Sequence, residues 1–161
     1  MLKNDEELEI ATGGGHWLTS WHQGPNAPSG RPHGSAGICS GDDDGVILIS
    51  ANGRTWDFPA GRPEKNESWL DTLHREMKEE ACAVVDHAHL LGYCRGRCIL
   101  GPEQGLVLVR AIWLAKVRLL DWEPQFEIHH RRIVPISGAI QETPSAYHAV
   151  WRRAFFEAKL G

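Results

Sequence analysis

Residues 61 to 83 read GRPEKNESWLDTLHREMKEEACA, and the spacing of charged and apolar residues in this stretch is the most informative feature of the chain. Ser68 and Asp71 have the spacing of a capping box, which predicts a helix beginning near Ser68. The apolar residues at helical spacing, which would face the core, are Leu70, Leu73, Met77 and Ala81. On such a helix Glu76, Glu79 and Glu80 would share one face, about one turn apart.

Three carboxylates this close repel one another, so a bound cation is the simplest reason for a fold to keep them. Oxygen ligands of this kind suit hard ions such as Mg²⁺ or Mn²⁺. Arg75 lies one turn before Glu79 and could hold a glutamate through a forked salt bridge. The alternative interpretation is a solvated acidic helix face with an ordinary ion pair.

The wider spacing resembles the Nudix box, G-x5-E-x7-R-E-U-x-E-E-x-G-U, in which U is bulky and aliphatic. The matching residues are Gly61, Glu67, Arg75, Glu76, Met77, Glu79 and Glu80, preceded by Phe58-Pro59-Ala60. Two departures stand at the end of the pattern. Cys82 replaces the glycine that would end the helix in a left-handed conformation, and Ala83 is small for its position. We therefore expect a different or a strained helix exit at Cys82.

The resemblance implies an α/β fold, an α/β/α sandwich around a mixed β-sheet. It also implies that Glu76, Glu79 and Glu80 hold Mg²⁺ or Mn²⁺ together with the carbonyl of Gly61. Arg75 would orient the glutamates, Glu67 would support the loop, and Glu76 is a candidate to orient or deprotonate the attacking water. Family members often add a later carboxylate, and Glu127 matches that place. Glu127 could be a further ligand, the general base or only a surface glutamate.

The reaction implied is hydrolysis of a diphosphate linkage in a nucleoside-diphosphate-type substrate, which gives a monophosphate and a second phosphorylated product. Catalysis would rest mainly on charge neutralisation and positioning. The candidate substrates are ADP-ribose, other nucleotide sugars, nucleoside triphosphates, dinucleotides and capped RNA, and we favour a small nucleotide. A Nudix-fold module that binds a nucleotide without cleaving it is the alternative. Such modules have usually lost box carboxylates, and this chain has lost none.

The rest of the chain predicts strands and helices in alternation, hence a mixed sheet with helices packed on it. We expect strands at 46–49, 54–58, within 83–99, at 105–115 and at 126–136, and a final helix capped by Thr143 with Pro144 in its first turn. Residues 12 to 37, rich in Gly, Pro and Ser, are typical of a loop or extended arm. We therefore divide the chain into an N-terminal arm, residues 1 to 37, and a single Nudix domain, residues 38 to 161.

Several side chains outside the box are candidates for binding. Trp17 and Trp21 could stack on a base, although packing on the protein's own core or on a partner subunit is the reading we favour. For Trp56 and Trp69 we likewise favour core packing over base stacking. Arg54 and Arg62 flank the box and could reach phosphates.

Composition narrows the classes of function. The net charge of −4 and the pI near 6.1 argue against broad binding to nucleic acid or to anionic membranes. No apolar run approaches the roughly 20 residues that span a bilayer, and residues 1 to 10 do not resemble a signal peptide, so we expect a cytoplasmic protein. The four cysteines are too few for a disulfide framework. The tryptophan-bearing arm favours a homodimer.

Overall fold

The structure is a computed structural model that describes residues 1–160. Its strands are β1 (Glu7–Thr12), β2 (Gly15–His22), β3 (Arg31–Ser40), β4 (Gly45–Ser50), β5 (Ala60–Gly61), β6 (Ala83–Leu100), β7 (Val107–Leu119) and β8 (His130–Pro135). Its α-helices are α1 (Trp69–Ala81), α2 (Ile136–Ala139) and α3 (His148–Glu157). Two short 3₁₀ helices, Ile140–Glu142 and Ser145–Tyr147, connect α2 to α3.

A six-stranded sheet in the order β1-β2-β6-β7-β3-β5 forms the centre of the molecule, and β4 and β8 form a separate pair. Strands β3 and β7 run parallel, whereas the other neighbouring strands of the large sheet are antiparallel. The predicted mixed sheet is therefore confirmed. The parallel pair places Ser35 and Ala36 of β3, which also pair with β5 at the start of the box, beside Ala111 and Ile112 of β7.

Helices cover both faces of the large sheet. Successive residues of a strand point to opposite faces, and β7 shows this, since Ala111 packs in one apolar cluster and Ile112 in the other. The first cluster contains Leu73 and Met77 of α1, and the second contains Trp151 of α3. The layers are thus helix, sheet and helix, as the family resemblance implied. Within residues 1–160, no helix is both long enough and apolar enough to cross a membrane.

Helix α1 begins as the sequence predicts. The hydroxyl of Ser68 accepts a hydrogen bond from the backbone N–H of Asp71, and the Asp71 carboxylate accepts one from the N–H of Ser68. Leu73, Met77 and Ala81 are fully buried, whereas Leu70 is 40% exposed and lies outside the core. The prediction of the core-facing stripe was therefore right for three of its four members.

The loop or extended arm predicted for residues 12 to 37 was wrong. Strands β2 and β3 occupy most of this segment, and β1 and β2 form a hairpin at the edge of the large sheet. Trp21 is fully buried in the cluster beneath α3, which agrees with the packing interpretation. The division of the chain at residue 37 into an arm and a domain stays a prediction, although β3 runs continuously across that position.

Three local predictions need correction. Residues 54–58 contain no strand and only an isolated bridge between Asp57 and Ile49, while β4 pairs with β8 instead. The strand predicted at 126–136 is shorter, spanning His130–Pro135. Thr143 does not cap the last helix, because its hydroxyl donates back to the carbonyl of Ile140 and a 3₁₀ turn precedes α3. The core-facing side of α3 carries Val150, Trp151, Ala154 and Phe155, which are all buried.

The exit from α1 is strained, as expected from the replacement of glycine. Cys82 adopts a left-handed conformation with φ 48° and ψ 49°, which costs a non-glycine residue roughly 1–2 kcal/mol. Its buried thiol donates to the carbonyl of Glu123. One guanidinium nitrogen of Arg131 donates to the carbonyls of Ala81, Cys82 and Leu120 at 2.9 to 3.2 Å. Arg131 therefore satisfies carbonyl groups that the helix end leaves free.

We predict that Arg131→Ala lowers the free energy of unfolding by about 2 kcal/mol, because it leaves these carbonyls without their charged donor. Chemical denaturation measures the change. Arg118→Ala is the control, since Arg118 pairs with Asp86 at the exposed surface and should change stability by less than about 0.5 kcal/mol. Equal stability of the two variants would contradict the capping role of Arg131.

Candidate active site

The side chain of Arg75 organises the acidic residues of the box. Its Nε and Nη2 donate to the two carboxylate oxygens of Glu67 at 2.7 and 2.9 Å. Its Nη1 donates to Glu76 at 2.7 Å and to Glu79 at 3.1 Å, and Nη2 also donates to the carbonyl of Arg62 at 2.8 Å. One arginine thus ties the loop before α1 to two glutamates on the helix. The predicted forked salt bridge is formed with Glu67, and Glu79 contributes the contact at i+4.

Glu67 is a structural member of this network. Its carboxylate accepts hydrogen bonds from the N–H of Glu64 and the hydroxyl of Thr72 in addition to those from Arg75. The Arg75 guanidinium lowers the pKa of Glu67 from 4.5 to about 2, and the other hydrogen bonds act in the same direction. Glu67 therefore fixes the loop to the first turn of α1, in the supporting position that the resemblance implied.

Two glycines allow the box loop to lie against the carboxylate of Glu76. A Cβ at Gly61 would overlap that carboxylate, so only glycine fits at this position. A Cβ at Gly34 would in turn overlap the carbonyl of Gly61, and Gly34 has a φ of 138°, which favours glycine. Gly34 on β3 therefore sets the place of the Gly61 carbonyl. Burial raises the pKa of Glu76 against the opposing effect of Arg75.

Glu80 is the member of the acidic trio (Glu76, Glu79 and Glu80) that Arg75 does not reach and that keeps one oxygen without a donor. Its Oε1 is buried and has no hydrogen-bond partner among residues 1–160. Burial, the neighbouring charge of Glu76 and that of Glu127 raise the pKa of Glu80 to about 8. A buried carboxylate oxygen without a donor is costly unless a cation or proton satisfies it.

The structure brings Glu127 toward the trio without direct contact. Glu127 lies on the exposed turn before β8, close enough for its charge to act on Glu80. Within residues 1–160, no three acidic, histidine or cysteine side chains already converge as a complete metal cage. Glu76 and Glu79 are turned toward Arg75, while Glu80 is not. The orphaned Glu80 oxygen beside Glu76 and the all-oxygen donor set nevertheless fit a hard divalent cation.

A cavity of about 340 Å³ opens beside the box, between the large sheet and α3. Its lining comes from the β1–β2 hairpin (Thr12, Gly13, Trp17, Thr19), from the sheet (His33, Cys94, Gly96, Leu108, Val109, Arg110, Ile112), from Asp57, Arg62 and Glu103, and from the C-terminal segment (Tyr147, Val150, Trp151). Its volume suits a small molecule, and its walls combine aromatic rings with charged groups.

The arginines and tryptophans that the sequence offered as binding candidates differ in whether they line the cavity. Arg62 lines the cavity, whereas Arg54 is exposed and does not. Trp56 packs against the core with the guanidinium of Arg132 over its ring, and Trp69 packs edge-on against Tyr93. Core packing is thus the observed state of both rings. Trp17, by contrast, faces the cavity.

Sequence reasoning missed several residues of this site. Gly34, Asp57 and Arg110 reach it from separate elements, and none belongs to a recognisable local pattern. The signal available for Gly34 was a glycine among strand residues, where glycine often indicates the close approach of another backbone segment. For Arg110 the signal was a charged residue inside an otherwise apolar strand, since residues 106–109 and 111–115 are all apolar.

The chain matches the model of the NUDIX domain over residues 31–149. It is similar in fold to a mutant of the Bacillus subtilis pyrophosphohydrolase BsRppH, with 22% identity over 96% of each chain and a TM-score of 0.72. It is also similar to the NUDIX domain of Shewanella oneidensis NrtR, crystallised with ADP ribose, with 15% identity over 82% of this chain and 90% of that chain and a TM-score of 0.62. No curated protein matches the chain.

The family model covers most of the chain, so this protein belongs to the Nudix domain family. The box retains every carboxylate of the family pattern and the arginine that holds them. The chain is therefore a Nudix hydrolase. At these identities the solved structures support the fold, and they do not identify the substrate.

We predict that Glu67→Gln lowers the free energy of unfolding by about 1–2 kcal/mol at pH 7, because it removes a charge-assisted pair that is partly open to water. The pKa of Glu67 is lower in the folded protein, so its contribution is complete above about 4.5 and is lost as the pH falls toward about 2. The stability difference between the two proteins should therefore shrink across this interval. Denaturation at several pH values measures it. A difference that stays constant below pH 4.5 would contradict this account.

We further predict that Gly34→Ala lowers the free energy of unfolding by roughly 2 kcal/mol or more and reduces hydrolysis, since the new Cβ forces the Gly61 carbonyl to move. Gly138→Ala is the matched control, because a Cβ there meets no atom within 4 Å. Denaturation and activity assays on both variants measure the effect. Normal stability and activity of Gly34→Ala would show that the box loop tolerates displacement.

Proposed function

We propose that this protein is a Mg²⁺- or Mn²⁺-dependent pyrophosphohydrolase that cleaves the diphosphate linkage of a small nucleotide or nucleotide sugar. The products would be a monophosphate and a second phosphorylated compound. The observation that carries the proposal is the buried, unpartnered oxygen of Glu80 beside Glu76. Arg62, a residue of the box loop, lines a cavity of small-molecule size. An acidic cluster close to a cavity lined by arginines favours a ligand that brings phosphate together with metal.

In this proposal Glu76, Glu79 and Glu80 would hold the metal with the carbonyl of Gly61. The ion would neutralise phosphate charge and lower the pKa of a bound water. Arg75 keeps Glu76 and Glu79 from separating, which fixes two of the ligands in advance of binding. This arrangement positions charge before the substrate arrives, which is how most phosphoryl-transfer catalysis is achieved.

Glu76 and Glu127 are the two candidates to accept the proton of the attacking water. Glu76 is already bonded to Arg75, which stabilises its charged form. Glu127 is exposed and makes no side-chain hydrogen bond among residues 1–160, so its carboxylate is free to accept a proton. We favour Glu127 as the acceptor and Glu76 as the residue that orients the water.

The cavity would bind the nucleoside part of the substrate. Its aromatic walls, which include Trp17, Tyr147 and Trp151, suit a planar base, and its volume of about 340 Å³ suits a single nucleotide. Arg62, on the side of the cavity toward the box, could reach a phosphate. These features support the small nucleotide that we favour over long RNA. A cytoplasmic location and a homodimer stay predictions of the sequence.

We predict that the wild-type protein with Mg²⁺ releases a monophosphate from at least one member of a panel of nucleotide sugars, nucleoside triphosphates and dinucleotides. Glu80→Gln should lose at least about a hundredfold in kcat/KM, the scale of removing one central electrostatic group. Glu123→Gln, an exposed carboxylate whose side chain makes no hydrogen bond among residues 1–160, is the control. Chromatography of the products measures turnover.

Two outcomes would contradict the proposal. Undiminished turnover by Glu80→Gln would show that the trio does not act as proposed. Tight binding of a nucleotide by the wild type without turnover of any panel member would favour the alternative, a nucleotide-sensing module.

A further inference from the structure

Arg110 is a half-buried arginine without a direct hydrogen-bond or ion-pair partner within residues 1–160, although the charges of Asp57 and Glu80 lie close enough to interact with it. Its side chain lines the cavity from near the start of β7. The other half-buried arginines all have hydrogen-bond partners: Arg75, Arg95, Arg97, Arg131, Arg132 and Arg153. A guanidinium placed in this way loses hydration without gaining a partner, so its position indicates a ligand rather than a structural role.

Arg110 stands at the junction between the acidic trio and the cavity. On β3 its partner in register is Gly34, the residue against which the Gly61 carbonyl packs, and on β6 it is Cys94. Burial raises the pKa of Glu80 and of Tyr147, and Arg110 lies close enough to both for its charge to oppose each shift. A ligand with one end at the trio and the other in the cavity must therefore pass Arg110.

Three arginines act on His33 near this junction, and Arg110 is the half-buried one among them. Burial, followed by the charges of Arg110, Arg62 and Arg31, lowers the pKa of His33 to about 4, so His33 is neutral at physiological pH. Arg62 and Arg31 are exposed, and water weakens their interactions. Asp57 lines the same cavity without a direct ion pair to Arg110; burial raises the pKa of Asp57, and the charge of Arg110 opposes that shift from a distance. A guanidinium donates two parallel hydrogen bonds to a phosphate, which suits an anion at this point.

We propose that Arg110 binds the nucleoside-linked phosphate of the substrate, the phosphate that stays on the nucleoside monophosphate product. This inference rests on the proposed function and deepens it. Arg110 would orient the ligand, with its nucleoside in the cavity and its second phosphate at the acidic trio. Selectivity for a phosphorylated over an unphosphorylated nucleoside would come from this one side chain.

The test measures binding directly, without metal and without turnover. The probes are the four common nucleoside 5′-monophosphates, the matching nucleosides and inorganic phosphate, each titrated in EDTA by calorimetry. We expect at least one monophosphate to bind the wild type about tenfold or more tightly than its nucleoside. In Arg110→Met this difference should disappear, while the affinity for the nucleoside stays the same. Arg54→Met, an exposed arginine outside the cavity, should behave as the wild type.

A second measurement separates ligand binding from a structural role. Because Arg110 has no partner in the fold, Arg110→Met should unfold at the same temperature as the wild type or at a higher one. Phosphate or a monophosphate should raise the unfolding temperature of the wild type and not that of Arg110→Met. A lower unfolding temperature for Arg110→Met without ligand, together with an unchanged preference for the monophosphate, would assign Arg110 to structure and overturn the proposal.

The remaining outcomes distinguish this proposal from the proposed function. If the wild type hydrolyses a nucleotide but Arg110→Met binds monophosphates equally well, the role of Arg110 is wrong and the hydrolase activity stands. If nothing is hydrolysed but monophosphate binding depends on Arg110, the binding site stands and the activity fails. If no monophosphate binds the wild type better than its nucleoside, the proposal is wrong.

Discussion

The site depends on one electrostatic constraint, which is that a single guanidinium must hold several carboxylates that would otherwise repel one another. Arg75 does this by bonding Glu67 on the loop and Glu76 and Glu79 on the helix. The pairs are partly buried, so solvent screens them less than ordinary surface pairs. Arg75 does not reach Glu80, which keeps a buried oxygen without a donor. The network thus stabilises the fold of the box and leaves one buried carboxyl oxygen without a donor, which is the property a cation-binding site needs.

Close packing of backbone atoms fixes the position of this network relative to the sheet. Gly34 on β3 admits the Gly61 carbonyl, and Gly61 admits the Glu76 carboxylate, so strand, loop and helix contact one another through atoms that leave no room for a side chain. Since β3 pairs in parallel with β7, the same contact also brings Arg110 beside the box loop. The acidic trio and a basic group therefore lie on neighbouring elements of one rigid framework. Such an arrangement holds groups of opposite charge close together before any ligand binds.

The cavity joins parts of the chain that are far apart in sequence. The family model begins at residue 31, whereas the hairpin that supplies Trp17 and Thr19 precedes it. The opposite wall comes from Tyr147 and Trp151, at the other end of the chain. The box thus carries the residues that define the family, whereas part of the cavity wall comes from the two terminal segments of the chain. This division explains why the box identifies the family and why the substrate must be inferred from residues outside it.

The features that could be read from the sequence are local ones. Helix α1, its capping box, the shared face of the glutamates and the contact between Arg75 and Glu79 all follow from spacings of eight residues or fewer. The strained exit at Cys82 was also foreseeable, because one position departs from a known helix ending. The strands within residues 12–37 were not, since their Gly- and Pro-rich composition is typical of loops and β2 and β3 pair with β6 and β7, each more than seventy residues away. The same reason applies to Gly34 and Arg110. Both are brought to the site by neighbours that only the folded chain provides, through sheet register and burial, and no spacing along the sequence encodes those distances.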